Sequence, residues 1–242
     1  MKKKICVVIP CYEVRHRILK VLSNKHLLNI NKIILVDDKC PQNTGLFLKK
    51  KLKSNKYKIL INKINLGVGG ATIKGFKYAL KKNFDVIIKM DGDGQHNIGI
   101  LKKILNGFDR DEFDFCKGYR SLDIKSKTRI KMPFLRFWGA KVLEILVRLN
   151  SGNQTIKDPC HGLIALNFKF LKKINLSLLK ENYFFEQDII LNIVRLNGRI
   201  KQFKNEVTYG SETSNLNPLM SILPFLYYHF LHFLKKITNS KI

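Results

Sequence analysis

The amino-acid sequence predicts an α/β fold in which helices cover both faces of a mostly parallel, Rossmann-like β-sheet. Three observations support this class. Short runs rich in valine and isoleucine alternate with longer segments whose apolar residues recur at helical spacing. Those longer segments can cross back over a sheet, as consecutive parallel strands require. The chain has 242 residues, 45% of them hydrophobic, which suits one domain with a substantial core.

The first half of the chain follows this alternation. Strands are predicted at ICVVIP (5–10), KIILVDD (32–38), YKILIN (57–62), DVIIKMD (85–91) and FDFCKGY (113–119). Connecting helices are predicted near 14–28, 44–54, 69–83 and 98–108. These elements form a doubly wound layer, in which functional groups gather at the carboxyl ends of the strands.

The second half departs from the alternation and predicts an α+β extension of the same domain. Its elements are a helix near 132–150, an extended HGLIALN segment, a helix near 184–197 and a strand near 199–207. Residues 1–216 are therefore expected to form a single domain.

Residues 217–242 are predicted to be a C-terminal segment that associates with a membrane. Seventeen residues without formal charge, 218–234, precede Lys235 and Lys236. The stretch is shorter than the roughly 20 residues of a spanning helix, and Pro224 interrupts it, so an apolar helix in the membrane interface is expected. A buried core helix or a dimer helix is the alternative.

The charge balance predicts an anionic partner. A formal net charge of +27 favours nucleic acid, a nucleotide-diphosphate substrate or the anionic inner face of the cytoplasmic membrane. The sequence carries no helix-turn-helix, zinc or RNP signature, so nucleic acid is excluded. The five cysteines form no C-x-x-C pair and their number is odd, which indicates a reducing compartment rather than a disulfide framework.

Two aspartates separated by one glycine follow the fourth predicted strand, in VIIKMDGDGQH. Asp91 and Asp93 point to the same side of an extended chain, and Gly92 lets the backbone turn tightly. Both carboxylates, or one carboxylate and water, can hold a hard divalent cation such as Mg²⁺ or Mn²⁺. Such a cation neutralises the charge that grows on a departing diphosphate. A plain turn rich in aspartate and glycine is the alternative.

The ends of the first three strands should lie along the same sheet edge as Asp91. There Asp37 or Asp38 can accept a hydrogen bond from a base or a ribose. The glycine cluster NLGVGGA, which includes Gly67, permits close backbone approach. This cluster follows the third strand, and Pro10 stands in the first βα turn where glycines would be required, so a Rossmann dehydrogenase is excluded.

Eight short motifs occur in order within residues 4–216: VVIPCYE, ILVDDKCPQNTG, NLGVGGA, MDGDGQ, KGYR, DPCHG, YFFEQDIIL and YGSETSNL. Together they resemble the motifs of family 2 glycosyltransferases, in the branch that includes dolichyl-phosphate mannose synthases and bacterial polyprenyl-phosphate glycosyltransferases. The resemblance implies the GT-A fold for residues 1–216 and inversion at the anomeric carbon of a transferred sugar.

The resemblance also implies residues for the nucleotide-sugar donor. Pro10, Tyr12, Asp38 and Asn65 would frame the nucleoside. Glu13 would also belong to this site, although the family more often has Tyr-Asn-Glu where this chain has Tyr-Glu-Val.

The diphosphate and acceptor sides are implied in the same way. Asp91, Asp93 and Gln95 would serve the metal and the diphosphate, which makes Asp93 a catalytic residue. Arg120 matches a basic residue that contacts the phosphates or the acceptor, and Asp158 in DPCHG is assigned to the same side. His161, where the family often has cysteine, is expected to be structural.

Two acceptor chemistries remain open. A hydroxyl acceptor needs a base, and Asp188 matches the position of the family's base. A lipid phosphate, with a second pKa of about 6, is largely ionised at neutral pH, so Asp188 would then orient the acceptor instead. Arg129 and Arg136 suit a phosphate head group.

The predicted function is sugar transfer from a nucleotide-diphosphate sugar to a polyprenyl phosphate at the inner face of the cytoplasmic membrane. A hydroxyl of a lipid-linked or cell-surface glycan is the alternative acceptor. A nucleotidyltransferase or a non-enzymatic nucleotide-binding protein is the second alternative, although the basic glycine-rich loop expected of a nucleotidyltransferase is missing from the first βα turn. No oligomeric state, sugar or base is predicted.

Overall fold

The computed structural model describes residues 3–121, 132–205 and 218–237. Seven strands form one sheet in the order β3-β2-β1-β4-β6-β5-β7. Their bounds are β1 Ile5–Cys11, β2 Lys32–Asp37, β3 Tyr57–Ile61, β4 Val86–Lys89, β5 Phe115–Tyr119, β6 Ile164–Asn167 and β7 Ile200–Lys204. All pairs are parallel except β4 with β6 and β5 with β6. The predicted mostly parallel α/β sheet is confirmed.

Eight α-helices connect or flank these strands in the described residues. They are α1 Arg15–Leu22, α2 Thr44–Lys51, α3 Gly67–Lys81, α4 Leu101–Asp109, α5 Phe134–Ser151, α6 Phe168–Leu171, α7 Phe185–Arg195 and α8 Pro218–Ile237. The helix predicted over 14–28 is shorter than expected. It stops at Leu22, and the side chain of Asn24 caps a separate 3₁₀ turn by accepting from the amide of His26.

The core consists of two apolar clusters, one on each face of the sheet. Alternate residues of β1 divide between them because side chains in a strand point to opposite faces. Val7 and Ile9 pack in a cluster with Ile18 of α1 and Ile104 of α4. Val8 lies in the other cluster, which includes residues of α3 and α7. The sheet is therefore covered on both sides, as predicted.

Strand register determines which residues meet at the carboxyl edge of the sheet. Cys11 pairs with Asp37, and Asp37 pairs with Ile61, so the loops after β1, β2 and β3 begin side by side. Strand β6 enters antiparallel to β4, with Ile164 opposite Lys89. The DPCHG loop that precedes β6 is thus brought to the end of β4, where the two aspartates begin.

The C-terminal segment predicted as residues 217–242 contains helix α8, which packs on α5. Tyr228 and His229 are buried, whereas Leu223, Tyr227 and Phe230 are exposed. None of the helices in the described part of the chain is long and apolar enough to cross a membrane. Helix α8 is therefore docked on the rest of the domain through one face.

Candidate functional site

The two aspartates after β2 have different surroundings. The carboxylate of Asp37 accepts from the backbone amide of Cys40 at 2.8 Å and from the amide of Gly45. It stabilises the turn into α2, so its oxygens are already engaged. Asp38 accepts at Oδ1 from Asn62 Nδ2 at 2.6 Å and from the Leu66 amide at 2.9 Å. Of the two alternatives, Asp38 is the better placed for a ligand, because both of these bonds end on one oxygen.

The other residues assigned to the nucleoside surround Asp38. Pro10 is half-buried near the end of β1, and Tyr12 and Glu13 are exposed just after it. Glu13 has a left-handed φ of 55°, and its amide donates to Cys40 Sγ at 3.1 Å. Asn65 is exposed and accepts from the Gly67 amide at 2.8 Å. The strand ends therefore bring these predicted residues to one edge.

The backbone of the loop before α7 lies close to the glycine cluster at the start of α3. Gly67 has a φ of +80°, and a Cβ built on it would lie 2.8 Å from the carbonyl oxygen of Glu181. The Gly70 amide donates to the same oxygen at 2.8 Å. The close approach predicted for Gly67 is therefore present, but the neighbour is the loop before α7. Gly67 therefore accommodates that loop contact, and its place in the nucleotide-sugar site stays a prediction.

Asp91 lies between two basic groups at the end of β4. Its Oδ1 atom is 2.6 Å from Lys89 Nζ, and its Oδ2 atom is 3.2 Å from His96 Nε2. About a third of the Asp91 side chain remains exposed, at 33%. Burial alone would raise the pKa of Asp91, but the charges and hydrogen bonds of Lys89 and His96 together outweigh burial and the pKa is lowered. Asp91 is therefore ionised and fixed at both oxygens.

Asp93 is held by the turn that follows it. Its Oδ1 atom accepts from the Gln95 amide at 2.9 Å. Burial, and next the neighbouring charge of Asp91, raise the pKa of Asp93. A cation beside the two carboxylates would offset the repulsion that Asp91 exerts on an ionised Asp93, and oxygen donors suit Mg²⁺ or Mn²⁺.

The donor set therefore fits a hard divalent cation, with Gln95 as a further oxygen donor. The described part of the chain contains no group of three or more histidine, cysteine, aspartate or glutamate side chains arranged to hold a metal. A cation held by Asp91 and Asp93 would thus need ligands from elsewhere, and phosphate oxygens of a donor are such ligands.

The DPCHG loop closes against Asp91. A Cβ built on Gly162 would overlap the Asp91 carboxylate, so only glycine fits this position. His161 is buried, accepts from the Leu163 amide at 3.1 Å and lies beside the His96 ring, with 4.9 Å between centroids. Burial lowers the pKa of His161 well below its usual value. The ring is neutral and serves the packing, which agrees with its expected structural role.

Arg120 forms a buried ion pair with Asp158, the first residue of this loop. Arg120 Nε lies 2.7 Å from Asp158 Oδ2, and Nη2 lies 2.8 Å from Oδ1. Burial alone would raise the pKa of Asp158, but the charge and hydrogen bonds of Arg120, together with the charges of neighbouring basic groups, outweigh burial and the pKa is lowered. Asp158 is fully buried. It holds Arg120 through both carboxylate oxygens, and its predicted contact with an acceptor stays a prediction.

Two charged residues that the sequence reasoning missed support this pair. Lys117 Nζ donates to the carbonyl oxygens of Gly118, Lys157 and Asp158 at 2.7 to 2.8 Å. Burial lowers the pKa of Lys117 to about 8. Glu144 of α5 accepts from the Asp158 amide at 2.8 Å. These contacts fix the backbone that presents Asp158 to Arg120.

The two arginines predicted for the acceptor head group differ in placement. Arg136 is half-buried in the first turn of α5. Arg129 lies outside the described residues. The predicted joint site of the two arginines therefore stays a prediction.

Asp188 lies in α7, and both of its carboxylate oxygens accept hydrogen bonds. Oδ2 accepts from the Lys180 amide at 3.0 Å, and Oδ1 accepts from the Tyr228 hydroxyl at 2.9 Å. Asp188 is 5% exposed. The neighbouring Gln187 Oε1 accepts from His229 Nε2 at 2.8 Å. Helix α8 thus covers the residue that was predicted to be a base or an orienting group.

Glu186, two residues earlier, is directly connected to the aspartates. Its Oε1 atom lies 2.7 Å from Lys89 Nζ, which also binds Asp91. We predicted no role for Glu186 from the sequence. The signal that could have found the pair was the lysine inside the otherwise apolar run VIIKM, because a lone charge in a central strand needs a partner.

Comparison with known proteins identifies the family of the chain. The family model described as glycosyl transferase family 2 matches residues 6–174. A UDP-N-acetylglucosamine–dolichyl-phosphate N-acetylglucosaminyltransferase of Methanococcus voltae is 29% identical over 195 residues, covering 75% of this chain and 76% of the relative. An undecaprenyl-phosphate mannosyltransferase of Micrococcus luteus is 26% identical and covers 81% of this chain and 80% of the relative.

A solved structure shares the fold. Glucosyl-3-phosphoglycerate synthase from Mycobacterium tuberculosis, in complex with Mn²⁺, UDP and glucosyl-3-phosphoglycerate, superposes with a TM-score of 0.68 at 12% identity. The superposition covers 96% of this chain and 79% of the synthase. The predicted GT-A fold is thereby confirmed. Because the family match extends over most of the chain, the protein belongs to glycosyl transferase family 2 and is a glycosyltransferase.

Proposed function

We propose that this glycosyltransferase moves a sugar, with inversion, from a nucleotide-diphosphate sugar to a polyprenyl phosphate. The observation that carries the proposal is the pair Asp91 and Asp93 at the carboxyl edge of the sheet, on the same edge as Asp38. Relatives whose names specify dolichyl and undecaprenyl phosphate acceptors support the choice of acceptor.

The donor's nucleoside would bind beside Asp38, with Tyr12 and Asn65 exposed next to it. Asp38 is fixed by Asn62 and by the Leu66 amide, so it can accept from a base or ribose without reorganising. Pro10 and Glu13 complete this part of the proposed site. The diphosphate would then extend along the sheet edge towards Asp93.

Asp91, Asp93 and Gln95 would hold Mg²⁺ or Mn²⁺. Bound there, the cation would neutralise charge on the departing nucleoside diphosphate. The M. tuberculosis synthase with the same fold was crystallised with Mn²⁺ and UDP, which supports this choice. The chain's own contribution is to keep Asp91 ionised beside Asp93, since Lys89 and His96 lower the pKa of Asp91.

A phosphate acceptor agrees with the placement of Asp188. A phosphate monoester with a second pKa of about 6 attacks without a strong base. Asp188 is buried beneath Tyr228 and engaged at both oxygens, so in this arrangement it orients neighbouring groups. Arg120, with Arg129 and Arg136, would supply positive charge for the acceptor phosphate.

Exposed apolar residues on two helices support the proposal that the protein associates with a membrane surface. Exposed apolar residues recur every three or four positions along α5 and along α8, which pack together: Phe134, Trp138, Val142, Ile145, Leu149, Leu223, Tyr227, Phe230 and Leu234. This surface, here called the two-helix apolar face, would lie in the membrane interface. The net charge of +27 favours an anionic leaflet, and the absence of disulfides among the five cysteines fits the cytoplasmic side.

Calorimetry with UDP-, GDP- and dTDP-sugars in the presence of Mn²⁺ tests the donor half of the proposal. We expect one nucleotide class to bind to the protein and to lose binding in Asp93→Asn. Equal binding by the variant, or no binding by any of the three classes, would contradict the proposed donor site.

A further inference from the structure

A buried lysine lies where the core would otherwise be apolar. Lys89 belongs to the central strand β4, and its sheet neighbours Val8 and Ile164 are fully buried. Lys89 is 1% exposed, and its ammonium group contacts the carboxylates of Asp91 and Glu186. Replacing a buried ion pair by apolar side chains is often neutral or stabilising. Stability alone therefore does not account for a lysine here.

The charged groups at and around Lys89 can be summed. Asp91, Asp93 and Glu186 are three carboxylates, and Lys89 supplies one ammonium group. If all are ionised, two negative charges remain, which one divalent cation neutralises. Without Lys89, the three carboxylates would repel one another more strongly. Without Glu186, the positive charge of Lys89 would offset much of the attraction of Asp91 and Asp93 for a cation.

We propose that Lys89 and Glu186 are positioning residues that set how tightly a divalent cation binds at Asp91 and Asp93. Lys89 holds Asp91 Oδ1 at 2.6 Å, and Glu186 holds Lys89 at 2.7 Å from helix α7. The pair also joins the metal-binding turn to a helix 97 residues later in the chain. This inference rests on the metal site of the proposed function.

The sign of each effect follows from the charge removed. Glu186→Gln leaves Lys89 with Asp91 as its remaining carboxylate partner among the contacts above, so the lysine opposes the cation and binding weakens. Lys89→Met removes a nearby positive charge, so binding tightens. The double variant Lys89→Met/Glu186→Gln removes both charges. Lys89 contacts Asp91 directly, whereas Glu186 is joined to Asp91 through Lys89, so we expect the double variant to bind at least as tightly as the wild type.

Mn²⁺ titration followed by the electron paramagnetic resonance signal of free Mn²⁺ measures this affinity without donor or turnover. We expect the order, from weakest to tightest, Glu186→Gln, wild type, the double variant and Lys89→Met, with about tenfold or more between the extremes. Arg199→Met is the matched control, since it removes one positive charge at the opposite edge of the sheet, beside Asp114. It should bind Mn²⁺ like the wild type.

The result that overturns the inference is a Glu186→Gln variant that binds Mn²⁺ as well as the wild type, or a double variant as weak as Glu186→Gln. Lys89→Met leaves a buried carboxylate without its lysine. If that variant fails to fold, Glu186→Gln and the double variant still decide between these outcomes. A wild-type protein that binds no Mn²⁺, alone or with UDP and GDP, would overturn the proposed metal site, and this inference with it.

Discussion

The hydroxyl of Tyr228 donates a hydrogen bond to Asp188 at 2.9 Å, although 40 residues separate them in the sequence. The contact joins the C-terminal helix α8 to helix α7, which also carries Glu186. One oxygen of Asp188 is thereby withdrawn from solvent, and the Lys180 amide engages the other. Asp188, which was predicted to be a base or an orienting group, is thus part of a contact between two helices.

Asp188→Asn should lower kcat for a polyprenyl phosphate by less than about tenfold, because an ionised phosphate acceptor needs no base. The measurement is kcat with a short-chain polyprenyl phosphate. Tyr228→Phe is the matched control, since it removes the same hydrogen bond and leaves the carboxylate intact. A general base typically contributes 10²- to 10⁴-fold, so a thousandfold loss in Asp188→Asn alone would favour a hydroxyl acceptor.

Arg120 supplies the comparison for that experiment. Removing Arg120 alone leaves Asp158 buried without its partner, which costs about 3 to 5 kcal/mol of stability. The double variant Arg120→Met/Asp158→Asn avoids this buried charge. We expect it to fold and to lose more than tenfold in kcat, the larger of the two losses. Activity close to wild type in the double variant would remove Arg120 from the proposed site.

Gly162→Ala should abolish donor binding in the presence of Mn²⁺, because the added methyl group overlaps the carboxylate of Asp91. Gly139→Ala is the control, since a Cβ at Gly139 meets nothing within 4 Å. Calorimetry with the preferred nucleotide sugar compares the two. Normal donor affinity in Gly162→Ala would mean that the position of Asp91 is not important for the donor.

Docking of α8 should weaken in acid because His229 must stay neutral. Its Nε2 atom donates to Gln187, and its Nδ1 atom accepts from Asn150 at 2.8 Å. Burial, and next His232, lower the pKa of His229 from 6.5 to about 4. The unfolded chain therefore binds a proton first. The stability that the neutral His229 ring contributes is complete above pH 6.5. It is lost as the pH falls towards 4, which lowers the free energy of unfolding by up to about 3 kcal/mol.

Urea unfolding at pH 7 and pH 4.5 measures this loss. His229→Gln keeps a polar side chain but cannot titrate, so it should show a smaller difference between the two pH values. Identical differences in the variant and the wild type would exclude His229 as the cause.

The two-helix apolar face should carry membrane binding. Tyr227→Glu/Phe230→Glu places two charges on exposed positions and leaves the buried Tyr228 in place. We expect the variant to lose flotation with anionic liposomes and to retain donor binding. Lys49→Gln/Lys50→Gln, which lowers the net charge by the same two units on α2, is the control for charge alone. Flotation of the apolar-face variant at the wild-type level would contradict the membrane role of α8.

The sequence predicted the parts of the fold and site that depend on local pattern. The first five strands follow from apolar runs, and Asp91 and Asp93 follow from the rule that ligands bind at the carboxyl ends of strands. The contact of Gly162 with Asp91 could not be predicted in this way. It depends on β6 pairing antiparallel with β4. The local spacing of apolar residues predicts strands but not the order in which they pair.

Long-range partners were missed for the same reason. Lys89 and Glu186 lie 97 residues apart in the sequence. The residues around each of them contain no pattern that predicts the contact between the two. The C-terminal stretch 218–234 was identified as apolar, but its buried Tyr228 and His229 are polar residues whose partners lie on α7. Pattern alone could not separate the docked face of α8 from its exposed face.

The most direct test of the proposed function is transfer from the nucleotide sugar that binds, with Mn²⁺, to a short-chain polyprenyl phosphate or to the matching polyprenol. Mass spectrometry of the lipid detects the product. The account predicts a glycosylated polyprenyl phosphate, no product with polyprenol, and loss of product with EDTA or in Asp93→Asn. Transfer to polyprenol or to a glycan hydroxyl with none to the phosphate would contradict it.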